Sequence, residues 1–102
     1  MQVLKFGGTS VANAEAIQQV VEIVSRSVDR DRTILVVSAI RGCTDALIRI
    51  GNLASHRDEA YKDVIDDLQK QHHQIIKDLL PVEKHEESLE TCDSLFNSLR
   101  SI

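Results

Sequence analysis

Thr33-Ile34-Leu35-Val36-Val37 is the stretch whose reading decides the fold. It is β-branched and apolar without interruption, and no polar residue alternates within it after Thr33. Such a run predicts a strand covered on both faces, as in a parallel sheet. Working back toward the N-terminus, Asp29-Arg30-Asp31-Arg32 reads as a solvated connection. Before it, Ile17, Val20, Val21, Val24 and Val28 recur at helical spacing, while Gln18, Gln19, Glu22 and Arg26 point elsewhere. Asn13 is placed to cap that helix, with Glu15 in its first turn, where a negative charge suits the helix dipole. Gln2 to Phe6 is a second short β-type run, stopped by Gly7-Gly8. Strand, helix, strand with a short crossover is a βαβ unit, which is nearly always right-handed.

Forward from Val37, a helix is predicted after Ser38 and Gly42, with Ala46, Leu47, Ile50, Leu53 and Ala54 along one face. No strand is predicted beyond Asp58. Tyr61, Val64, Ile65, Leu68, His72, Ile75, Ile76 and Leu79 form one long stripe at steps of three and four. Pro81 ends that helix. Leu89, Cys92, Leu95, Phe96, Leu99 and Ile102 form another stripe, so residues 56–102 read as a helical hairpin and residues 1–55 as a βαβα unit. A two-stranded sheet is not stable by itself, and the last apolar stripe is still running at Ile102. The chain is therefore expected to be an N-terminal piece of a longer protein.

The totals narrow the classes. The chain has 102 residues, enough for one small domain at most; 42% are apolar, 27% charged and only 3% aromatic, so its core is aliphatic. A formal net charge of −4 provides no basic stripe for nucleic acid. No apolar run approaches the length of a membrane-spanning helix, and the first residues lack the plan of a signal peptide. Cys43 and Cys92 have no CxxC spacing and read as reduced thiols of a cytoplasmic protein. His56, His72, His73 and His85 lack the i, i+4 pairing of two metal ligands on one helical face, and no metal site is assigned.

The loops carry the chemistry. In Lys5-Phe6-Gly7-Gly8-Thr9-Ser10 the glycines permit φ > 0 and a close approach to the backbone. Amides there, followed by a helix N-terminus, suit a phosphate or carboxylate. Lys5 ends the strand and can point its ammonium over the loop, and Thr9 and Ser10 add hydroxyls. The lysine precedes the glycines, so this is not a P-loop, nor is it GxGxxG. By spacing alone, a plain turn with a surface lysine reads equally well. In Val36-Val37-Ser38-Ala39-Ile40-Arg41-Gly42-Cys43-Thr44-Asp45, Ser38 lies at the C-terminal end of the second strand, where open α/β sheets place ligands. Gly42 permits a tight loop. Thr44 reads either as an N-cap or, with Ser38 and Gly42, as part of the same crevice.

Val3-Leu4-Lys5-Phe6-Gly7-Gly8-Thr9-Ser10-Val11-Ala12-Asn13-Ala14-Glu15, together with the V-V-S-A-x-x-G-x-T pattern from Val36 to Thr44, closely resembles the start of the aspartate kinases of the amino-acid kinase family. The opening looks especially like the bifunctional aspartate kinase–homoserine dehydrogenases. The resemblance is strong over residues 2–17 and 36–47 and loose over the helical hairpin. It implies the N-terminal part of a three-layer αβα, carbamate kinase-like α/β fold, with two parallel strands here. It also implies transfer of the γ-phosphoryl group of MgATP to the side-chain carboxylate of L-aspartate, the first step toward lysine, threonine and methionine. Lys5 matches the family's phosphate-contacting, catalytic lysine, and Gly7 and Gly8 match its phosphate-holding loop, which Thr9 and Ser10 continue. Ser38, Gly42 and Thr44 match positions around the acceptor amino acid. Asp45 stands where the family usually has asparagine, and Arg41 falls in a variable part of the loop.

The family's later Arg-Gly-Glu segment, its acidic substrate-binding residue and its nucleotide-base pocket are absent from these residues. The 102-residue chain alone is therefore expected to be inactive. The expected partners are small-molecule substrates, with no nucleic acid and no membrane, and a homo-oligomer is expected. The alternatives are another amino-acid kinase, acting on glutamate, N-acetylglutamate or a nucleotide monophosphate, or a non-catalytic helical interaction module.

Overall fold

The computed structural model describes residues 1–102 and is α/β. It divides into two compact units, Met1–Arg41 and Gly42–Ile102.

In the first unit, β1 (Gln2–Phe6) leads through a 3-10 turn (Gly8–Val11) into α1 (Ala14–Arg30) and then β2 (Thr33–Val37). The strands are parallel, in a register that pairs Gln2 with Thr33 and Phe6 with Val37. Asn13 caps α1 as its sequence predicts: its backbone is extended and its Oδ1 accepts the Ala16 N–H at 2.9 Å. One buried hydroxyl ties the helix to both strands. Ser27 Oγ donates to Gln2 Oε1 at 2.7 Å and lies 3.0 Å from Thr33 Oγ1. That satisfies a polar atom which would otherwise be costly in the interior. At the far end of α1, Asp31 accepts the Met1 ammonium and the Arg32 N–H, both at 2.7 Å.

The expectation that Thr33–Val37 forms a strand covered on both faces is not met, and β1 is also open on one face. Gln2, Leu4 and Phe6 point toward α1 and are half-buried, whereas Val3 is 63% exposed. Strand side chains alternate between faces, so Ile34 and Val36 share the uncovered face with Val3 and Lys5. Leu35 and Val37 lie on the α1 side yet stay exposed too. The physical reason is that the unit contains a single α-helix to cover the sheet.

The second unit comprises α2 (Cys43–Ser55), α3 (Tyr61–Leu79) and α4 (His85–Ser101). Its core is Ile50 of α2, Ile65 and Leu68 of α3, and Cys92 and Phe96 of α4, with Tyr61, Val64, Ile76 and Leu99 packed against it. Packing thus groups α2 with the hairpin helices, whereas the sequence reading placed residues 43–55 with the strands. Ile50 is the residue that binds it there, being only 6% exposed. Leu80 is extended before Pro81, which ends α3 as predicted. Four positions of this unit's predicted stripes are exposed: Leu47 and Ala54 on α2, Leu95 on α4, and Ile102 after it.

Candidate active site

Two residue types build this site, small ones that allow close backbone approach and one cation beside them. Gly7 follows β1 in an extended conformation. A Cβ built on it would lie 3.3 Å from Ser38 Oγ and 3.5 Å from Ser38 Cβ. A side chain at position 7 would therefore displace Ser38. Ser38 extends the sheet pairing one residue past β2, its N–H donating to the Phe6 carbonyl at 3.0 Å, and its Oγ donates to the Ala39 carbonyl at 2.9 Å. Gly8 has φ of +58°, in the left-handed region where a side chain is disfavoured. The chain then turns, with the Ser10 N–H donating to the Gly7 carbonyl at 3.2 Å.

The structure thus brings Lys5, Gly7, Gly8, Thr9, Ser10 and Ser38 to the C-terminal edge of the parallel pair, where open α/β sheets bind ligands. Lys5 pairs with Val36, is exposed, and joins none of the chain's ion pairs. Thr9 and Ser10 line a shallow groove of about 200 Å³ with Phe6 and the α1 residues Ala16, Gln19, Val20 and Ile23.

Gly42 and Thr44 belong to the second unit. Gly42 is itself the N-cap of α2, with φ of 84°, and makes no side-chain bond because it has no side chain to make one. Thr44 is an exposed residue inside the first turn, so the capping role open to it from the sequence is taken by Gly42. Asp45 also lies in that first turn, favourably placed for the helix dipole. Cys43 packs against the core of its unit, and burial pushes its thiol pKa up. An inert space-filling thiol fits that position better than a nucleophile.

Three of the four histidines are accounted for by local bonds. The His56, His72 and His85 rings each meet a backbone carbonyl, of Asn52, Leu68 and Leu80, at 2.7 to 2.8 Å. His72 also packs edge-on against Phe96. His73 differs, its Nε2 lying 2.5 Å from Asp93 Oδ1 on the neighbouring helix. The meeting of Gly7 with Ser38 is the one expected of two loops on the same sheet edge, whereas the contact of His73 with Asp93, which sequence reasoning missed, joins residues far apart in the chain that no local spacing links.

The glycine-bearing edge beside an unpaired lysine is an α/β sheet edge whose donors suit an anion, and the comparisons give the family. Residues 1–95 match the Amino acid kinase family, and the chain belongs to it. It is 40% identical over 76 residues, 74% of its length, to a chloroplastic bifunctional aspartokinase/homoserine dehydrogenase 1 of Zea mays, covering 8% of that protein. It is 31% identical over 98 residues, 96% of its length, to the Arabidopsis thaliana protein of the same name, covering 11% of it. An aspartokinase of Rickettsia prowazekii is 44% identical over 52 residues, half of this chain and 12% of that enzyme. The chain thus spans roughly a tenth of the length of these curated relatives.

Proposed function

We propose that this chain is the N-terminal portion of an aspartate kinase domain. The reaction is transfer of the γ-phosphoryl group of MgATP to the side-chain carboxylate of L-aspartate, giving 4-phospho-L-aspartate and ADP. The observation that carries this reading is the close approach of Gly7 to Ser38 beside Lys5, in a chain whose curated relatives are aspartokinases.

Phosphoryl transfer depends chiefly on positioning and on neutralising charge on the transferred group. Lys5 supplies a compact cation between two anionic reactants. Gly7 and Gly8 let backbone amides approach phosphate oxygens, and Thr9 and Ser10 add hydroxyl donors. Ser38, Gly42 and Thr44 are assigned to the acceptor amino acid. The first loop and the end of β2 offer amides, hydroxyls and one ammonium but no carboxylate. This donor set suits an anion and not Mg²⁺, which prefers carboxylate and phosphate oxygens. Free Cys43 and Cys92 support a reducing, cytoplasmic setting, and no helix is long and apolar enough to cross a membrane. The place in lysine and threonine biosynthesis is what the proposed reaction implies, and a dehydrogenase partner domain rests on the relatives' names.

The test is formation of an acyl hydroxamate from MgATP, hydroxylamine and either L-aspartate or L-glutamate, using the whole gene product. Aspartate-dependent product, reduced at least ~10²-fold by Lys5→Ala, supports the reading. Product with glutamate alone moves the assignment to a sister kinase. The 102-residue chain by itself should give none.

A further inference from the structure

Outside the anion-binding loops, one cluster of side chains has the composition of a metal site. His73 Nε2, Cys92 Sγ and a carboxylate oxygen of Asp93 all lie within 4.8 Å of one another. They converge because α3 and α4 pack side by side, with His73 from one helix meeting the consecutive pair Cys92-Asp93 from the other. We propose that His73, Cys92 and Asp93 form a zinc-type divalent metal site that clasps α3 to α4.

The donor set is one imidazole nitrogen, one sulfur and one carboxylate oxygen, which suits Zn²⁺ or Co²⁺ and not the all-oxygen shells of Mg²⁺ or Ca²⁺. Three protein ligands leave a fourth tetrahedral position for water. That position has access to solvent, since the side chains of His73 and Asp93 are 28% and 44% exposed. Bonds of about 2.0 to 2.3 Å place tetrahedral ligand atoms roughly 3.3 to 3.7 Å apart. His73 Nε2 and Asp93 Oδ1, now 2.5 Å apart, would separate by about an ångström on binding, within reach of side-chain rotation at this exposed rim.

A supporting shell is already in place. Gln69, one helical turn before His73, donates from Nε2 to Asp93 Oδ1 at 2.7 Å. Arg100 fixes the orientation of that amide by donating to Gln69 Oε1, and is itself paired with Asp66 at 2.8 Å. Both recorded donors to Asp93 meet Oδ1, so Oδ2 can turn to a metal while Gln69 still holds the carboxylate. Partners of this kind orient ligands in metal sites generally.

The test titrates the full 102-residue chain, stripped with a chelator, with Co²⁺ and then with Zn²⁺ against a chromophoric competitor, while helical circular dichroism monitors folding. One equivalent of Co²⁺ should give tetrahedral visible bands and a sulfur-to-cobalt charge-transfer band, both displaced by Zn²⁺. His73→Gln and Asp93→Asn, at partly exposed positions, should each weaken Zn²⁺ binding by at least ~10-fold. Cys92→Ser should remove the charge-transfer band, and Cys43→Ser should leave it unchanged. Failure to bind one equivalent would overturn the proposal. So would binding indifferent to His73→Gln and Asp93→Asn, or a charge-transfer band that follows Cys43.

Discussion

A single methyl group at position 7 tests the geometry of the candidate site. The added Cβ would press on Ser38 Oγ at 3.3 Å, tighter than an ordinary van der Waals contact. Gly7→Ala should therefore cut hydroxamate formation by the whole enzyme, and Ser38→Gly in the same chain should relieve the crowding without restoring the lost hydroxyl. A Gly7→Ala enzyme of full activity would show that the approach of the two loops has no part in catalysis. At Gly8 the cause is different, because nothing crowds its open side and only its φ of +58° excludes a side chain. At Asn13 the local rule was sufficient. A capping side chain followed by an acidic first turn was legible from three residues, and the bond to the Ala16 N–H is there. Asn13→Ala should lower unfolding free energy by about 1 kcal/mol in urea titration, and Asn13→Asp should leave it nearly unchanged. The shared edge of Gly7 and Ser38 was legible from the βαβ pattern, but the His73–Asp93 contact was not, because its partners meet only when α3 and α4 pack.

At the scale of elements, periodicity located the helices and Pro81 ended one of them correctly. Periodicity did not say what each helix packs against. The sequence reading grouped α2 with the strands in a βαβα unit over residues 1–55, whereas Ile50 is buried among residues of α3 and α4. An uninterrupted run such as Thr33–Val37 is similarly ambiguous: it identifies an apolar strand and leaves open what covers it. The buried centre of the second unit is Ile65, 1% exposed. Ile65→Ala should cost about 2–5 kcal/mol in denaturant unfolding, and a loss below 1 kcal/mol would mean that this core is loosely packed.

The first unit is fastened at its corner by Asp31, whose carboxyl is held below its ordinary pKa first by the Met1 ammonium and then by the Arg32 N–H. A carboxylate whose pKa falls on folding stabilises the native state above its unfolded pKa. That contribution is lost as pH drops through the lowered native value. Acid titration of the first unit's unfolding should show this loss, and Asp31→Asn should flatten it. Unchanged acid sensitivity in that variant would assign the loss to other carboxylates.

For the molecule as a whole, the two units are unequally built. Five of the seven buried apolar residues lie in the helical unit, while the strand unit contributes Val11 and Val20 and leaves Val3, Ile34, Val36 and Val37 exposed. Amide exchange should therefore be slowest in α3 and α4 and fast in β1 and β2; equal protection would imply that the sheet face is covered in solution. Exposed apolar strand faces also favour association. Sedimentation of the chain should depend on concentration, and Val3→Lys with Ile34→Lys should reduce that dependence.

The parallel register carries one more consequence, for the order in which the chain becomes structured during synthesis. Gln2 pairs with Thr33, so β1 leaves the ribosome long before its partner strand exists. Helix α1 can wind as it emerges, but the sheet must wait for β2, and closing such a separation costs entropy before any pairing repays it. The residues that read most clearly as the signature of the family are thus made before their partner strand, and they take up their working geometry only after the whole crossover has followed them out.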